Sequence, residues 1–406
     1  MKLKQLAAFI ALLMILSFTS PVHSVAAKTK PSYTISPSSK TYKNLMMNFS
    51  TYNQYTKHYY LLRSYLERLE KTGGGTLTLK KGTYTISNTL YVPSNVTIKL
   101  QSGAKLVKGM KTGTRQFGPS SSIFQFVRPA YAYKKGVYGG YNGVKNVSII
   151  GTGTATIDMK YYKDGIAIIA GHNQNIKIQN ITFQNMYSGH FIEIDATKNA
   201  TISGNTFKNS KASPNKNKEA INIDTPDKLT KGWSQQWSKF DRTPNSLLLI
   251  SKNTFENLDR AIGTHKYSGD KYHDRVTIKD NTIRNTRQDA IRLMNWSNAV
   301  IENNLIKDVT RGPNNDYRGI LASGAINPTI RNNTFQNTAR PAQFFPWKNS
   351  GPGSEYSVTY NKLNKANIEA FETNIVRNNT ENFIRINTVY GQFDHNTTQF
   401  VNLIAK

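Results

Sequence analysis

Residues 259–275 read DRAIGTHKYSGDKYHDR and gather two of the chain's seven histidines with Arg260, Lys266, Tyr267 and Arg275. An imidazole changes charge near neutral pH, and a lysine amine is brought toward that range by desolvation or neighbouring cations. The stretch therefore has the residue types for proton transfer. It is one of a series. GHFIEID, KEAINID, DRAIGTH, QDAIRLMN and YRGILAS recur along the chain, and Ile192, Ile221, Ile262, Ile291 and Ile320 bring them into one register. If those isoleucines point inward, period-2 alternation sends the residues one after and three after to the opposite, solvent-facing side, and the residues two before, at the strand's start, are read as a further column on that face. The first column then reads His190, Glu219, Arg260, Asp289, Arg318. The second reads Glu193, Asn222, Gly263, Arg292, Leu321, and the third Asp195, Asp224, His265, Met294, Ser323.

Neighbouring strands lie about 4.8 Å apart, so Glu193 should sit beside Asn222 and Asp195 beside Asp224. Like charges stacked directly are destabilising unless a metal, a shared proton or a cation compensates. Calcium takes six to eight oxygen ligands, and Glu193, Asp195, Asn222 and Asp224 offer a corner arrangement for Ca²⁺. Two reactions suit an acidic polymer on such a face. In β-elimination the uronate carboxylate is neutralised by Ca²⁺ or by Arg292 or Arg260, and His265, Lys266 or Tyr267 takes the C5 proton. In hydrolysis two carboxyl groups flank the bond, with Glu219, Asp224, Asp195 and Asp289 as candidates. His190, Asp289 and His273 add substrate-binding candidates. Trp233 and Trp237, in the insertion 225–246, offer aromatic faces for sugar rings, as do the tyrosines of 128–141 and Phe344, Phe345 and Trp347 further on.

The elements that must position these residues are short strands. One phrase recurs: IKIQNITF, TISGNTF, LISKNTF, TIKDNTI, VIENNLI and TIRNNTF, with Ile178, Ile202, Ile250, Ile278, Ile301 and Ile330 spaced by 24, 48, 28, 23 and 29 residues. The 48 is one turn with an inserted loop, because KEAINIDT lies inside it. Units this short bury their apolar faces only by stacking, and spacings in the twenties without a helical period predict an all-β, parallel β-helix. Asn205, Asn253, Asn281, Asn304 and Asn333 fall at matching turns, where stacked amides bond to the next turn. They read as structural. Residues 55–71, YTKHYYLLRSYLERLEK, predict an amphipathic helix ending before Gly73-Gly74-Gly75 that covers the first rung. The chain divides into 1–27, 28–75 with the capping helix, and a single β-helix domain of about ten or more rungs over 76–406.

The helix–GGGT–strand–GTY entry followed by N-x-I-x-x-N rungs resembles the secreted right-handed β-helix proteins of the pectate-lyase superfamily, over nearly the whole mature chain. That superfamily holds lyases, hydrolases, epimerases and non-enzymatic binders. Its polygalacturonase-type hydrolases carry Asp, Asp-Asp, His and Arg-x-Lys on successive rungs. Here the matching positions are His190, Lys218-Glu219, Arg260 and Arg292-Leu293-Met294, and only the Arg is retained. The Glu193/Asn222/Asp224 group followed by cations is more similar to the calcium-dependent lyases of the superfamily. The resemblance thus implies a polysaccharide lyase, with a glycoside hydrolase and a non-catalytic wall- or glycan-binding protein as alternatives.

Composition sets the surroundings. Lys2, Lys4, the apolar run Leu6–Phe18 and small residues at Ala26 and Ala27 form a cleavable secretory signal, and no later segment is long and apolar enough to span a membrane. There is no cysteine, so stability must come from the core. The formal charge is +29. In an exported protein that excess fits an acidic polysaccharide or an anionic cell wall better than nucleic acid. A secreted monomer is the expectation.

Overall fold

Alternating apolar and polar residues become strands here because each apolar side chain finds its counterpart one rung away. A computed structural model describes residues 29–212, 218–312, 314, 316–348 and 357–406, so the expected signal 1–27 lies outside it. Three sheets of 11 strands each receive one strand per turn of a right-handed coil. Ile178, Ile202, Ile250, Ile278, Ile301 and Ile330 pair in one continuous register, and the direct Ile202–Ile250 pair makes the long spacing one rung plus an insertion. On another sheet the Phe183, Phe207 and Phe255 rings stack 4.9 Å apart and nearly parallel, at 11° and 12°. That spacing matches the separation of neighbouring strands. All these side chains are buried.

The asparagines form a ladder along one corner. Asn205 donates its backbone N–H to Asn253 Oδ1 (2.9 Å) and its Nδ2 to the Ile178 carbonyl (2.9 Å). Asn253, Asn281, Asn304 and Asn333 repeat the pattern, and Asn374 receives the last N–H. Each amide oxygen and amide nitrogen replaces a partner that the turn removes from the sheets.

The helix Lys57–Lys71 turns Leu61, Leu62, Leu66 and Leu69 into the core and covers the first rung. Its exit runs through Gly73, Gly74 and Gly75, all at positive φ, and a Cβ on Gly74 would meet the Asn95 carbonyl at 2.3 Å. The domain boundary expected at 76 is corrected. Ser32–Ile35 forms a strand that pairs in parallel with Gly75–Leu79, so the segment before the helix already belongs to the sheet. At the other end the stack closes with an antiparallel pair, Phe383–Asn387 against Thr398–Asn402, preceded by the helix Lys365–Glu372. Asn364 caps that helix reciprocally with Asn367.

The sheet that carries the charged columns contains, in order, Ile166–Gly171, His190–Asp195, Glu219–Asp224, Arg260–Gly263, Ile291–Met294, Arg318–Ser323, Arg340–Phe344 and Phe383–Asn387. We call it the site sheet.

Candidate functional site

Register on the site sheet follows the isoleucine alignment: Ile192–Ile221–Ile262–Ile291–Ile320. Glu193 pairs with Asn222, Asp195 with Asp224, Glu219 with Arg260, and Gly263 with Arg292. The expected solvent exposure is corrected. His190, Glu193, Asp195, Glu219, Asn222, Asp224, Arg260 and Asp289 are all buried, none more than 5 % exposed. The reason is the insertion 225–246, whose residues lie over the sheet: Gly232 stands beside Asp224 Oδ2 and Lys266.

The same insertion corrects the role of its tryptophans. Trp233 and Trp237 pack into an apolar cluster with Ile169, Val127 and Tyr138, and Trp237 Nε1 donates to Gln125 Oε1. They hold the loop down and offer no free face to a sugar. His273 is corrected too. Its strand, His273–Lys279, belongs to another sheet, and its Nδ1 accepts the Asn245 N–H at 3.0 Å in a buried corner. Tyr267 is buried and donates its hydroxyl to the Trp347 carbonyl at 3.4 Å. With Arg242, Tyr272, Asn295 and Tyr360 it lines a cleft of about 380 Å³.

What the structure does gather is a centre around Glu219. Its Oε1 accepts from Arg260 Nη1 at 2.7 Å, and its Oε2 faces His265 Nδ1 at 3.4 Å. Arg260 is fixed from the far side by the Asp289 carbonyl (3.1 Å) and the Asp289 carboxylate (3.6 Å). His190 donates its Nδ1–H to the Glu219 carbonyl (2.7 Å), and its ring lies 6.3 Å from that of His265. Burial alone would raise the Glu219 carboxyl, but His265 and Arg260 outweigh it and hold it well below the ordinary range. Burial, with Lys218 nearby, pushes His190 down to about 3, so it is neutral. His265 is also lowered by burial, against the pull of Glu219, yet its side chain keeps 25 % exposure.

Beside this centre the chain turns. The strand ends at Gly263, and the backbone N–H groups of His265 and Lys266 both point to Asp224 Oδ1, at 2.8 and 3.0 Å. The bend frees Lys266 from strict alternation, as a strand ending near His265 requires. Burial lowers the Lys266 amine while Asp224 opposes the shift. Arg292 is half-buried one rung on, and among the described residues no carboxylate lies within ion-pair distance of it.

The second carboxylate group sits deeper. Asn222 Nδ2 donates to Glu193 Oε1 (2.9 Å), Asn222 Oδ1 accepts the His265 N–H (3.1 Å), and Asp195 Oδ1 accepts the Asp224 N–H (3.1 Å). Burial and mutual repulsion raise Glu193 and Asp195 well above the usual carboxylate values. Burial raises Asp224 to about 7 despite its backbone donors. The four fit calcium poorly. Glu193 Oε1, Asp195 Oδ1, Asn222 Oδ1 and both Asp224 oxygens already accept hydrogen bonds from the protein, Asp195 Oδ2 has no partner, and among the described residues no group of three or more His, Asp or Glu is arranged to hold a metal ion.

Sequence reasoning missed several participants. Thr264 donates to the Ile223 carbonyl and accepts from Trp296 Nε1, which braces the bend at His265. Lys218 stands beside the centre, and this lysine, which opens KEAINID, was visible only as part of a motif comparison. Arg340 and Arg385 extend the site sheet's cations.

Comparison with known proteins is consistent with this architecture. The family model for a right-handed β-helix region matches residues 241–399. The plasmin and fibronectin-binding protein A of Streptococcus pneumoniae is 22 % identical over 276 residues, which are 61 % of this chain and 36 % of that relative. The chain therefore spans about a third of that relative's length. A structure of the Streptococcus pneumoniae surface protein and adhesin PfbA aligns with TM-score 0.59 and 18 % identity over 80 % of this chain and 82 % of the other. A second PfbA crystal structure gives 0.55 and 15 %, over 85 % and 95 %. At such identities the likeness establishes the scaffold alone: this is a right-handed parallel β-helix protein.

Proposed function

We propose that the protein is an extracellular polysaccharide lyase that cleaves an acidic polymer by β-elimination without a metal ion. The observation that carries this reading is the Glu219–His265 pair beside Arg292. The Glu219 carboxylate, with Oε2 3.4 Å from Nδ1, favours the tautomer that carries its proton on Nδ1, which leaves the Nε2 lone pair for the C5 proton of a uronate. Lowered by burial, His265 is unprotonated at neutral pH and able to act as base. Arg292, which lacks a carboxylate partner among the described residues, is the guanidinium for the substrate carboxylate, with Lys266 beside it. As the C5–H bond breaks, its electron pair forms the C4–C5 double bond and the C4–O bond breaks. The departing oxygen takes a proton from the imidazolium or from water. Glu219, kept ionised by Arg260, stabilises the imidazolium in between.

Calcium remains testable as an added factor, but no step above requires it. The decisive screen offers alginate, pectate, glycosaminoglycans and bacterial exopolysaccharides to the purified protein. Ultraviolet absorbance from unsaturated uronate ends supports the lyase. New reducing ends without that absorbance would replace it with a hydrolase using Glu219 or Asp224.

A second reading has its own support. The formal charge of +29 and the likeness to a surface adhesin favour a non-catalytic protein that holds an anionic glycan or wall polymer. Tight, salt-sensitive binding with no new chain ends would select it. Both readings place the protein outside the cell, as the sequence expects.

A further inference from the structure

Charge is unevenly spread along the stack. Residues 29–157 carry 18 lysines and arginines against two acids, Glu67 and Glu70, and from Lys71 to Ile157 there is no acid at all. Both acids are already taken, Glu67 by Arg63 at 2.7 Å and Glu70 by Arg128 at 3.0 Å. The N-terminal rungs and their cap therefore keep a large excess of positive charge.

Part of that excess surrounds an apolar tip. The segment ahead of the capping helix contains Leu45-Met46-Met47-Asn48-Phe49, in which Leu45 and Phe49 are 52 % and 47 % exposed. The loop after the strand Ala104–Lys108 adds Met110, 53 % exposed. Two hydrogen bonds tie these loops together: Gln116 Nε2 donates to Ser50 Oγ (3.1 Å) and Asn53 Nδ2 to the Thr112 carbonyl (3.0 Å). The backbone is left-handed at Lys43, Asn44 and Met46, with φ of 51°, 58° and 71°. Such positions cost energy outside glycine and persist only where the surroundings impose them. Here they leave Leu45 outside, while Met46 packs against the core. Single exposed apolar residues are ordinary, but three on two joined loops form a patch.

Around the tip lie Lys40, Lys43, Lys57, Lys111 and Arg115, all exposed. The Lys111 ammonium rests 4.5 Å from the centre of the Tyr55 ring, which holds it beside the apolar residues. Lys111 and Arg115, together with Met110, line an open cleft of about 510 Å³. Two cations and no carboxylate in its wall suit a phosphate group.

We infer that the N-terminal end of the β-helix docks on an anionic lipid surface. Leu45, Phe49 and Met110 enter the boundary between headgroups and acyl chains, and the surrounding cations meet lipid phosphates. The two halves of the patch together decide for a bilayer. A dissolved polyanion would take the cations and leave the apolar side chains in water. A second copy of the chain would bring the same cations against these. Five rungs separate Leu90–Tyr91, the strand at the N-terminal end of the site sheet, from Arg260–Gly263. Docking by the first rungs therefore carries the Glu219–His265 centre about 24 Å along the axis from that strand. It is independent of what the centre does, and it holds for the lyase and for the glycan-binding reading alike.

The test uses the chain from residue 28 onward, which contains the compact unit Pro31–Lys406 and lacks the apolar run Leu6–Phe18 that would itself enter lipid. Its affinity for vesicles of phosphatidylcholine with about one-third phosphatidylglycerol should exceed that for phosphatidylcholine alone by roughly tenfold, and should fall as salt rises. Phe49→Trp gives a direct reading, because its emission should move to shorter wavelength when the mixed vesicles are added. Leu45→Ser, at a half-exposed position, should weaken vesicle binding by roughly fivefold while the unfolding midpoint is kept. Lys111→Gln with Arg115→Gln should weaken it by roughly tenfold. Lys145→Gln with Lys198→Gln, exposed on either side of Gln174 on another sheet, should leave it unchanged. No vesicle binding, an unshifted tryptophan, or equal weakening by both cation pairs would overturn the docking surface. Loss with Lys111 and Arg115 but none with Leu45→Ser would also overturn it, and would mark the face as a site for a dissolved polyanion.

Discussion

Two buried polar columns run along this molecule, and they are built on opposite principles. The asparagine ladder from Asn205 to Asn374 is neutral, and each amide passes its hydrogen bonds to the next rung at about the same 2.9 Å. The site sheet stacks Glu193, Asp195, Glu219, Asp224, Arg260 and Arg292, with Asp195 Oδ2, Glu219 Oε2, the neighbouring His265 Nδ1 and Arg292 Nε left without hydrogen-bond partners. A satisfied neutral ladder lowers the energy of one arrangement and does no chemistry. A charged column with raised carboxylates, and with a guanidinium that has no carboxylate partner among the described residues, is held at a cost by the surrounding fold, and that pattern motivates the functional proposal.

Breaking each column should therefore have different consequences. The largest loss is expected in the ladder. Asn281→Leu strands the Asn253 N–H and removes two carbonyl partners, at a cost on the order of 3 kcal/mol, read as a lowered midpoint in denaturant unfolding. In the charged column the outcome depends on which charge is removed. Arg260→Leu leaves Glu219 buried beside only His265 and should cost a comparable amount, about 3 kcal/mol.

Removing a raised carboxylate should do the reverse, and pH reveals it. Asp224 titrates at 3.8 when exposed and at about 7 in the fold. The folded state thus binds the extra proton, so this group's stabilisation is full below 3.8 and disappears as pH rises through about 7. Asp224→Asn should gain on wild type in thermal midpoint as pH rises across that window, whatever its offset at low pH. A constant difference would contradict the raised value. His190 works in the other sense. Its unfolded value of 6.5 exceeds its folded value of about 3, so its contribution is present above 6.5 and is lost as pH falls toward 3. The smallest effect belongs to chelation, which should leave both the unfolding midpoint and turnover unchanged, since Glu193 Oε1, Asp195 Oδ1, Asn222 Oδ1 and both Asp224 oxygens already accept from protein donors.

Much of this was legible from local pattern. Period-2 alternation with an inward isoleucine placed Glu193 beside Asn222 and Asp195 beside Asp224, because a parallel stack repeats its register rung after rung. What failed was non-local. Burial of the columns depends on where the 225–246 insertion folds, and nothing in its own sequence says that Trp233 and Trp237 turn inward. His273 was grouped with His265 by closeness along the chain, yet the segment between them rounds a corner onto another sheet. Arg340 and Arg385 escaped notice because a helix and irregular spacing interrupt the repeat after residue 336.

The central claim is that the Glu219–His265 pair performs the chemistry. On the polymer that responds in the screen, formation of unsaturated ends by His265→Ala and Glu219→Gln should be compared with wild type. Turnover should fall by roughly 10²–10⁴ for His265→Ala, in a protein that remains folded. Glu219→Gln should retain binding but lose turnover, as the imidazolium loses its counter-charge. Near-wild-type formation of unsaturated ends by folded His265→Ala would contradict the account.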